Sequence, residues 1–141
     1  MIWALILTAI IAYLLGSISF SIIFTKKFAG FDVRQKGSGN AGSTNVLRTA
    51  GKKPAILTLI CDVLKGVVAV LVAFLMGKIA NADVWNAALL IQIAGVCVVL
   101  GHTFPIFFGF KGGKGVATAL GVLLITCLLY TSPSPRDTER S

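Results

Sequence analysis

The stretch that decides the fold spans residues 54–76 and reads PAILTLICDVLKGVVAVLVAFLM. Crossing the hydrocarbon core of a bilayer takes roughly 20 apolar residues in a helix, and this stretch is long enough. Its two charged residues, Asp62 and Lys65, stand three positions apart and share one helix face, where each offsets the burial of the other. The pair is therefore either structural or functional, and pairing alone is a sufficient structural role.

Three other stretches, residues 2–24, 84–100 and 116–130, are also predominantly apolar. Hydrophobic residues form 56% of the 141 residues, charged residues form 13%, and the mean hydropathy is +0.90. A soluble domain of this size has too little interior for so much apolar surface. Because lipid offers no hydrogen-bond partner to a backbone, we expect helices in all four stretches. The predicted fold class is an all-α polytopic integral membrane protein with about four transmembrane helices.

The connection after the first apolar stretch is strongly basic. Against the single acid Asp32 it carries Lys26, Lys27, Arg34, Lys36, Arg48, Lys52 and Lys53. The positive-inside rule makes this connection cytoplasmic, and four crossings then return residues 101–115 to the same side. No Lys or Arg precedes the first stretch, so we expect a retained helix rather than a signal peptide. The net charge of +8 is explained by anionic lipid or phosphorylated substrates, and no nucleic-acid partner is predicted.

The first glycine-rich segment, residues 36–48, reads KGSGNAGSTNVLR. Its glycines match the dinucleotide-binding pattern G-x-G-x-x-G, but a membrane helix precedes them where that fingerprint requires a strand, so we reject this interpretation. Hydroxyl and amide side chains offer hydrogen bonds, and the guanidinium fork of Arg48 suits phosphate oxygens. The alternative is a polar turn that caps a helix.

The second glycine-rich segment, residues 109–116, reads GFKGGKGV. It is not an ATP-binding P-loop, because Gly115 stands where that motif has Ser or Thr. The glycines around Lys114 would let several backbone N–H groups converge on one anion at the start of the next helix. The alternative is a flexible basic hinge at the membrane edge.

His102 is the only histidine of the chain. Acyltransferases that use thioester donors carry a His-x-x-x-x-Asp dyad, and Phe107 stands at the position of that acid. With no carboxylate to orient it, His102 is predicted to be structural or to contact substrate rather than to act as a general base. The three cysteines are scattered and lack CxxC spacing, so neither a metal site nor a disulfide is predicted.

Residues 37–48 and 101–118 resemble the first two motifs of the bacterial acyl-phosphate:glycerol-3-phosphate acyltransferases, with the short acidic-basic element DVLKG at residues 62–66 between them. The resemblance runs from about residue 16 to residue 124. It implies a multi-pass protein of the bacterial inner membrane, with cytoplasmic motif loops, that acts in phospholipid biosynthesis. The implied reaction moves a fatty acyl group from acyl-phosphate to the 1-hydroxyl of sn-glycerol 3-phosphate, giving lysophosphatidate and phosphate. It implies no metal or organic cofactor, and it implies a functional link to an acyl-phosphate-forming enzyme.

The resemblance also implies roles for individual residues. Ser38 and Arg48 are the predicted catalytic residues. The predicted substrate-binding residues are Asn40, Thr44, Asn45, His102, Lys111, Gly112, Gly113, Lys114 and Gly115. Asp62 and Lys65 stay a structural or functional intramembrane pair.

The family carries a third motif, rich in basic residues, on further helices, and this sequence lacks it. We therefore expect residues 1–130 to be an incomplete transmembrane acyltransferase domain, taken from a longer helical bundle and impaired in activity. Residues 131–141 are expected to be a polar, disordered tail unrelated to the family. The alternatives are a small membrane transporter or anion-conducting subunit for phosphorylated compounds, and a scaffold subunit. Transport is disfavoured because the polar motifs fall in loops and no symmetry relates two halves of the chain.

Overall fold

The computed structural model describes residues 1–131, which form six α-helices, two short 3-10 turns and no strand. The helices are α1 (Ile2–Ser17), α2 (Phe20–Ala29), α3 (Ser43–Ala50), α4 (Lys52–Ile79), α5 (Val84–Thr103) and α6 (Val116–Thr131). The predicted all-α fold class is confirmed. The predicted tail over residues 131–141 lies outside the described residues, except for Thr131 at the end of α6.

Three stretches of the described chain are long and apolar enough to cross a bilayer, namely Ile2–Ala29, Lys52–Ile79 and Val84–Phe108. The fourth predicted span is an apolar but shorter helix over Val116–Tyr130. Large apolar side chains stay exposed along the outside of the bundle, for example Ile56, whose exposed fraction is 55%. Such a surface is stable in lipid and not in water, so the chain is a multi-pass membrane protein.

The first apolar stretch is not the single helix that the sequence predicts. The helix α1 ends at Ser17. The next two residues, Ile18 and Ser19, have extended backbone, and α2 then begins at Phe20. A break inside a membrane exposes backbone carbonyls that lipid cannot satisfy. Here the carbonyl oxygens of Gly16 and Ile18 each accept a hydrogen bond of 3.0 Å from Lys65 Nζ on α4. The break is therefore stabilised by a side chain that is distant in sequence.

Glycines bring the long helices into close contact. A Cβ on Gly16 of α1 would collide with the backbone carbonyl of Val98 on α5, and a Cβ on Gly66 of α4 would collide with the carbonyl of Thr118 on α6. Small residues of this kind let membrane helices pack backbone to backbone. These glycines hold α1 close to α5 and α4 close to α6, so the polar side chains on these helices also lie close together.

Both glycine-rich segments lie at the same end of the bundle, as the charge pattern predicts. A small apolar core anchors the first segment there, and it consists of Ile22, Val33, Ala41, Val46 and Ala55. These residues come from α2, from the 3-10 turn at Val33–Gln35, from the segment itself, from α3 and from α4. The loop between α5 and α6 closes over this end and completes the wall of a cavity.

Candidate functional site

A cavity of about 260 Å³ lies between the two glycine-rich segments. Its lining residues are Ser38, Asn40, Gly42, Ser43, Thr44, Asn45, Arg48, Asp62, His102, Lys114, Gly115, Val116 and Ala117. The structure thus brings together both predicted catalytic residues, most of the predicted substrate-binding residues and one member of the intramembrane pair. The predicted site residues did not include four lining residues at the starts of α3 and α6, namely Gly42, Ser43, Val116 and Ala117.

The cavity is built to attract an anion. Arg48 and Lys114 line it, and within residues 1–131 neither forms an ion pair with a carboxylate. The helices α3 and α6 begin at the cavity wall with Ser43 and Val116, so the unpaired N–H groups of two first turns add positive partial charge. Two cations and two helix N-termini around one cavity fit a phosphate group.

Asn45 holds the first segment in shape. Its side chain is almost fully buried, and its Nδ2 group lies 3.0 Å from each of the carbonyl oxygens of Val33, Lys36 and Asn40. Its Oδ1 accepts a hydrogen bond of 3.2 Å from the backbone N–H of Ser38. The amide is thus used within the loop and keeps Ser38 at the cavity. A contact of Asn45 with substrate stays a prediction.

The second segment is folded differently from the anion-binding nest that its glycines suggest. The N–H of Gly112 donates to the carbonyl of Thr103 at 3.0 Å, and the N–H of Gly113 donates to that of His102 at 3.3 Å. These two amides close the end of α5 instead of facing the cavity. Lys111 lines a separate groove with Lys26 and Arg34. Substrate contacts of Lys111, Gly112 and Gly113 therefore stay predictions, while Lys114 and Gly115 line the cavity.

A buried polar cluster forms the floor of the cavity. Lys65 Nζ lies 3.3 Å from Asp62 Oδ1 and 2.8 Å from His102 Nδ1, and no member of the cluster is more than 5% exposed. Asp62 and His102 both line the cavity. The expectation that no carboxylate lies near His102 was wrong, because Asp62 Oδ1 is 3.8 Å from Nδ1. The packing of α4 against α5 brings Asp62 close to His102, and the 40 positions between them in the sequence give no indication of this contact.

Arg34, just before the first segment, bonds to the second segment, a role that was not predicted from the sequence. Its Nε and Nη2 atoms donate to the Asp32 carboxylate at 3.0 and 2.7 Å, and its Nη1 donates to the carbonyls of Phe108 and Lys111. The side-chain hydrogen bond from Arg34 lowers the pKa of Asp32, and the same bond raises the pKa of Arg34. In the sequence, the only sign of this ion pair is that Asp32 stands two positions before Arg34 within a basic connection.

An apolar groove continues from the cavity toward the outside of the bundle. Ser43 and Thr44 line both the cavity and the groove, whose other lining residues are Leu47, Lys52, Ala55, Ile56 and Leu59. Ile56 and Leu59 belong to the lipid-exposed surface of α4. A ligand with a polar head and a hydrocarbon chain thus has a path from the lipid to the cavity.

In the described part of the chain, no three His, Cys, Asp or Glu side chains are grouped to hold a metal ion.

The fold and the cavity define a multi-pass membrane protein with a cation-lined cavity between two glycine-rich segments. Residues 6–133 match the family described as Glycerol-3-phosphate acyltransferase, and the chain belongs to that family. This confirms the family predicted from the two motifs.

Individual relatives agree with the family match. A glycerol-3-phosphate acyltransferase of Clostridioides difficile (strain 630) is 52% identical over 123 residues, which cover 87% of this chain and 59% of the relative. A Pseudomonas putida (strain F1) enzyme of the same name is 52% identical over 118 residues, or 84% of this chain and 58% of the relative.

Solved structures show the same fold. The crystal structure of PlsY, an integral membrane glycerol 3-phosphate acyltransferase, in its glycerol 3-phosphate form matches with a TM-score of 0.72 and 45% identity, covering 89% of this chain and 60% of that chain. Its lysophosphatidic acid form matches with a TM-score of 0.70 and 44% identity. The chain thus spans less than two thirds of the length of these relatives.

Proposed function

We propose that this chain carries the acyl-transfer site of a glycerol-3-phosphate acyltransferase that uses acyl-phosphate as its donor. The observation that carries the proposal is the cavity in which Arg48, Lys114 and two helix N-termini converge without a neutralising ion pair within the described residues. Both substrates of this reaction carry a phosphate group. The names of the relatives, and the glycerol 3-phosphate form of PlsY, support the acceptor.

The two segments divide the substrates between them. Lys114, with the start of α6, receives the phosphate of sn-glycerol 3-phosphate, and His102 on the floor supplies a further hydrogen bond. Ser38 and Arg48 face the donor, with Asn40 and Thr44 on the same wall. Lys111, outside the cavity, adds positive potential at its approach.

The chemistry follows from the activated donor. The 1-hydroxyl oxygen of glycerol 3-phosphate attacks the carbonyl carbon of acyl-phosphate, and the bond from that carbon to the phosphate oxygen breaks. Arg48 neutralises charge on the departing phosphate, and Ser38 donates a hydrogen bond to the reacting group. The phosphate takes the proton of the hydroxyl, so lysophosphatidate and inorganic phosphate leave. Positioning and charge neutralisation suffice because a mixed anhydride is already reactive, and no cofactor is required.

The donor's hydrocarbon chain occupies the apolar groove along α4. The groove meets the cavity at Ser43 and Thr44, so a chain along Ala55 and Leu59 leaves the carbonyl carbon at the cavity mouth. The donor then enters from the lipid, while the acceptor enters from water on the cytoplasmic side of the inner membrane. An enzyme that forms acyl-phosphate supplies the donor, and the product enters phospholipid biosynthesis.

The decisive experiment is acyl transfer by the purified full chain in detergent. Labelled glycerol 3-phosphate is mixed with palmitoyl-phosphate or, as the matched control, with palmitoyl-CoA, and lysophosphatidate and phosphate are both measured. We expect product from acyl-phosphate alone. Equal use of palmitoyl-CoA would contradict the donor. Binding of glycerol 3-phosphate without product would contradict acyl transfer and favour the transporter, which in detergent can bind but has no compartments to transport between. Absence of both binding and product would favour the scaffold subunit.

A further inference from the structure

The ammonium group of Lys65 has a partner for each of its three hydrogens. The carbonyl oxygens of Gly16 and Ile18 lie 3.0 Å from Nζ, and His102 Nδ1 lies 2.8 Å from it. An ammonium donates three hydrogen bonds and accepts none, so Nδ1 acts as the acceptor. A neutral imidazole whose Nδ1 accepts carries its hydrogen on Nε2.

The opposite arrangement, a neutral amine that accepts from Nδ1–H, fits the surroundings poorly. Asp62 Oδ1 lies 3.3 Å from Lys65 Nζ, and this oxygen is buried without a hydrogen-bond donor. A neutral amine would leave this nearly buried carboxylate without a counter-charge. The positive charge on Lys65 compensates Asp62 and requires the Nε2–H form of His102.

The Nε2 edge of the ring lies where the two glycine-rich segments meet. A Cβ added to Gly113 would stand 2.6 Å from His102 Nε2 and 2.8 Å from the carbonyl oxygen of Ala41. His102 lines the cavity although only 5% of its surface is exposed. Within residues 1–131 no group accepts a hydrogen bond from Nε2. Because His102 lines the cavity, a ligand oxygen there can accept the hydrogen bond of Nε2–H.

We infer that Lys65 is a positioning residue that holds His102 in its Nε2–H tautomer, so that Nε2–H donates to an anionic oxygen of the ligand in the cavity. With the other tautomer, the lone pair of Nε2 would face that anion and repel it. Lys65 therefore acts on the ligand through His102 while it satisfies the carbonyls of the broken first span. Only the identity of the ligand, glycerol 3-phosphate, rests on the proposed function.

The tautomer can be read directly, because the chain has a single histidine. The full chain, labelled with ¹⁵N in the imidazole ring and held in lipid nanodiscs, gives one pair of ring nitrogen signals. We expect a protonated Nε2 and an unprotonated, hydrogen-bonded Nδ1. The Lys65→Met variant should populate both tautomers, while Lys53→Met, on the outside of α4, should leave the spectrum unchanged. A wild-type spectrum dominated by Nδ1–H would overturn the inference, even if Lys65→Met fails to fold.

A matched pair of variants tests the use of Nε2–H. The amide nitrogen of glutamine reaches the position of Nε2, whereas the amide oxygen of asparagine reaches that of Nδ1. For glycerol 3-phosphate binding to the full chain, we expect His102→Asn to weaken affinity about tenfold and His102→Gln to weaken it by about threefold or less. The reverse order would assign His102 to structure alone. If the wild type binds no glycerol 3-phosphate, the proposed function fails, while the tautomer experiment still decides the inference.

Discussion

The guanidinium of Arg34 donates a hydrogen bond of 3.1 Å to the backbone carbonyl of Lys111 and so joins two loops that are 77 positions apart in sequence. The same guanidinium is held by Asp32. One ion pair thereby holds the chain just before the first glycine-rich segment against the second segment. We expect the spacing of the two segments, and so the cavity between them, to depend on a carboxylate that does not itself line the cavity.

This dependence predicts a pH effect. Arg34 lowers the pKa of Asp32 below its ordinary value of 3.8, so the carboxylate stabilises the folded protein fully above that pH. The contribution is lost as the pH falls below 3.8 toward the lowered pKa. We expect Asp32→Asn to reduce the thermal midpoint in detergent at neutral pH, and the difference from wild type to shrink below that value. A difference that persists at lower pH would assign the effect to packing.

Arg48 is predicted to stabilise the phosphate of the donor. Because a hydrogen bond to a charged group contributes about 1.5 to 3 kcal/mol, Arg48→Met should lower turnover about 10- to 100-fold. Lys53→Met is the matched control, since it removes a cation from the same basic connection outside the cavity. Initial rates with palmitoyl-phosphate measure both. Equal losses in the two variants would mean that general surface charge, not the guanidinium in the cavity, is responsible.

Asn45 is predicted to matter through loop structure. Asn45→Ala removes the amide that contacts three carbonyls and the N–H of Ser38, and should lower the free energy of unfolding by about 2 to 4 kcal/mol. Thr44→Ala, an exposed neighbour on α3, should change it little. Denaturation in detergent, with hydrogen exchange over residues 36–42, measures the effect. Unchanged exchange in Asn45→Ala would contradict this role.

The contact between α4 and α6 is predicted to require glycine at one position. A Cβ at Gly66 would meet the backbone of Thr118, so Gly66→Ala should destabilise the bundle by about 1 to 3 kcal/mol. Gly77 on the same helix has ordinary space toward Leu90, and Gly77→Ala should be neutral or stabilising by up to about 1 kcal/mol. Thermal midpoints of the two variants compare them directly. If Gly66→Ala keeps the same midpoint as Gly77→Ala, α6 shifts freely to make room for the added methyl group and the prediction is wrong.

The proposed orientation places the glycine-rich segments in the cytoplasm and the loop before α5 outside. A cysteine at Asn81 should react with a membrane-impermeant maleimide added to intact spheroplasts, and a cysteine at Lys36 should react only after lysis. Both are introduced into a chain whose Cys61, Cys97 and Cys127 are replaced by alanine. Reaction of the Lys36→Cys variant in intact spheroplasts would reverse the orientation.

Much of the fold could be predicted from the sequence because lipid imposes a simple rule on apolar stretches. The long helices α4 and α5 follow from their apolar length alone. The break after Ser17 could not be predicted, since no proline marks it and the donor that permits it, Lys65, lies on another helix. Helix propensity depends only on residues that are neighbours in sequence, whereas this break is stabilised by a tertiary contact.

The site was predictable in its residue types and less so in its geometry. Motif composition indicates anion binding, and Arg48 and Lys114 do share one cavity. The glycine pattern of the second loop suggested free amides, but the N–H groups of Gly112 and Gly113 close α5. The spacing of Asp62 and Lys65 shows a pair on one face, whereas the third member, His102, joins through helix packing.

The break in the first span also bears on the order of membrane assembly. When the first span enters the bilayer, α4 with its Lys65 has not yet been inserted beside it, so its ammonium group cannot yet satisfy the carbonyls of Gly16 and Ile18. We expect the newly inserted span to be one continuous helix that bends only when α4 arrives. Amide exchange near Ile18 should therefore be slow in a nascent chain that stops before α4 and faster in the finished protein.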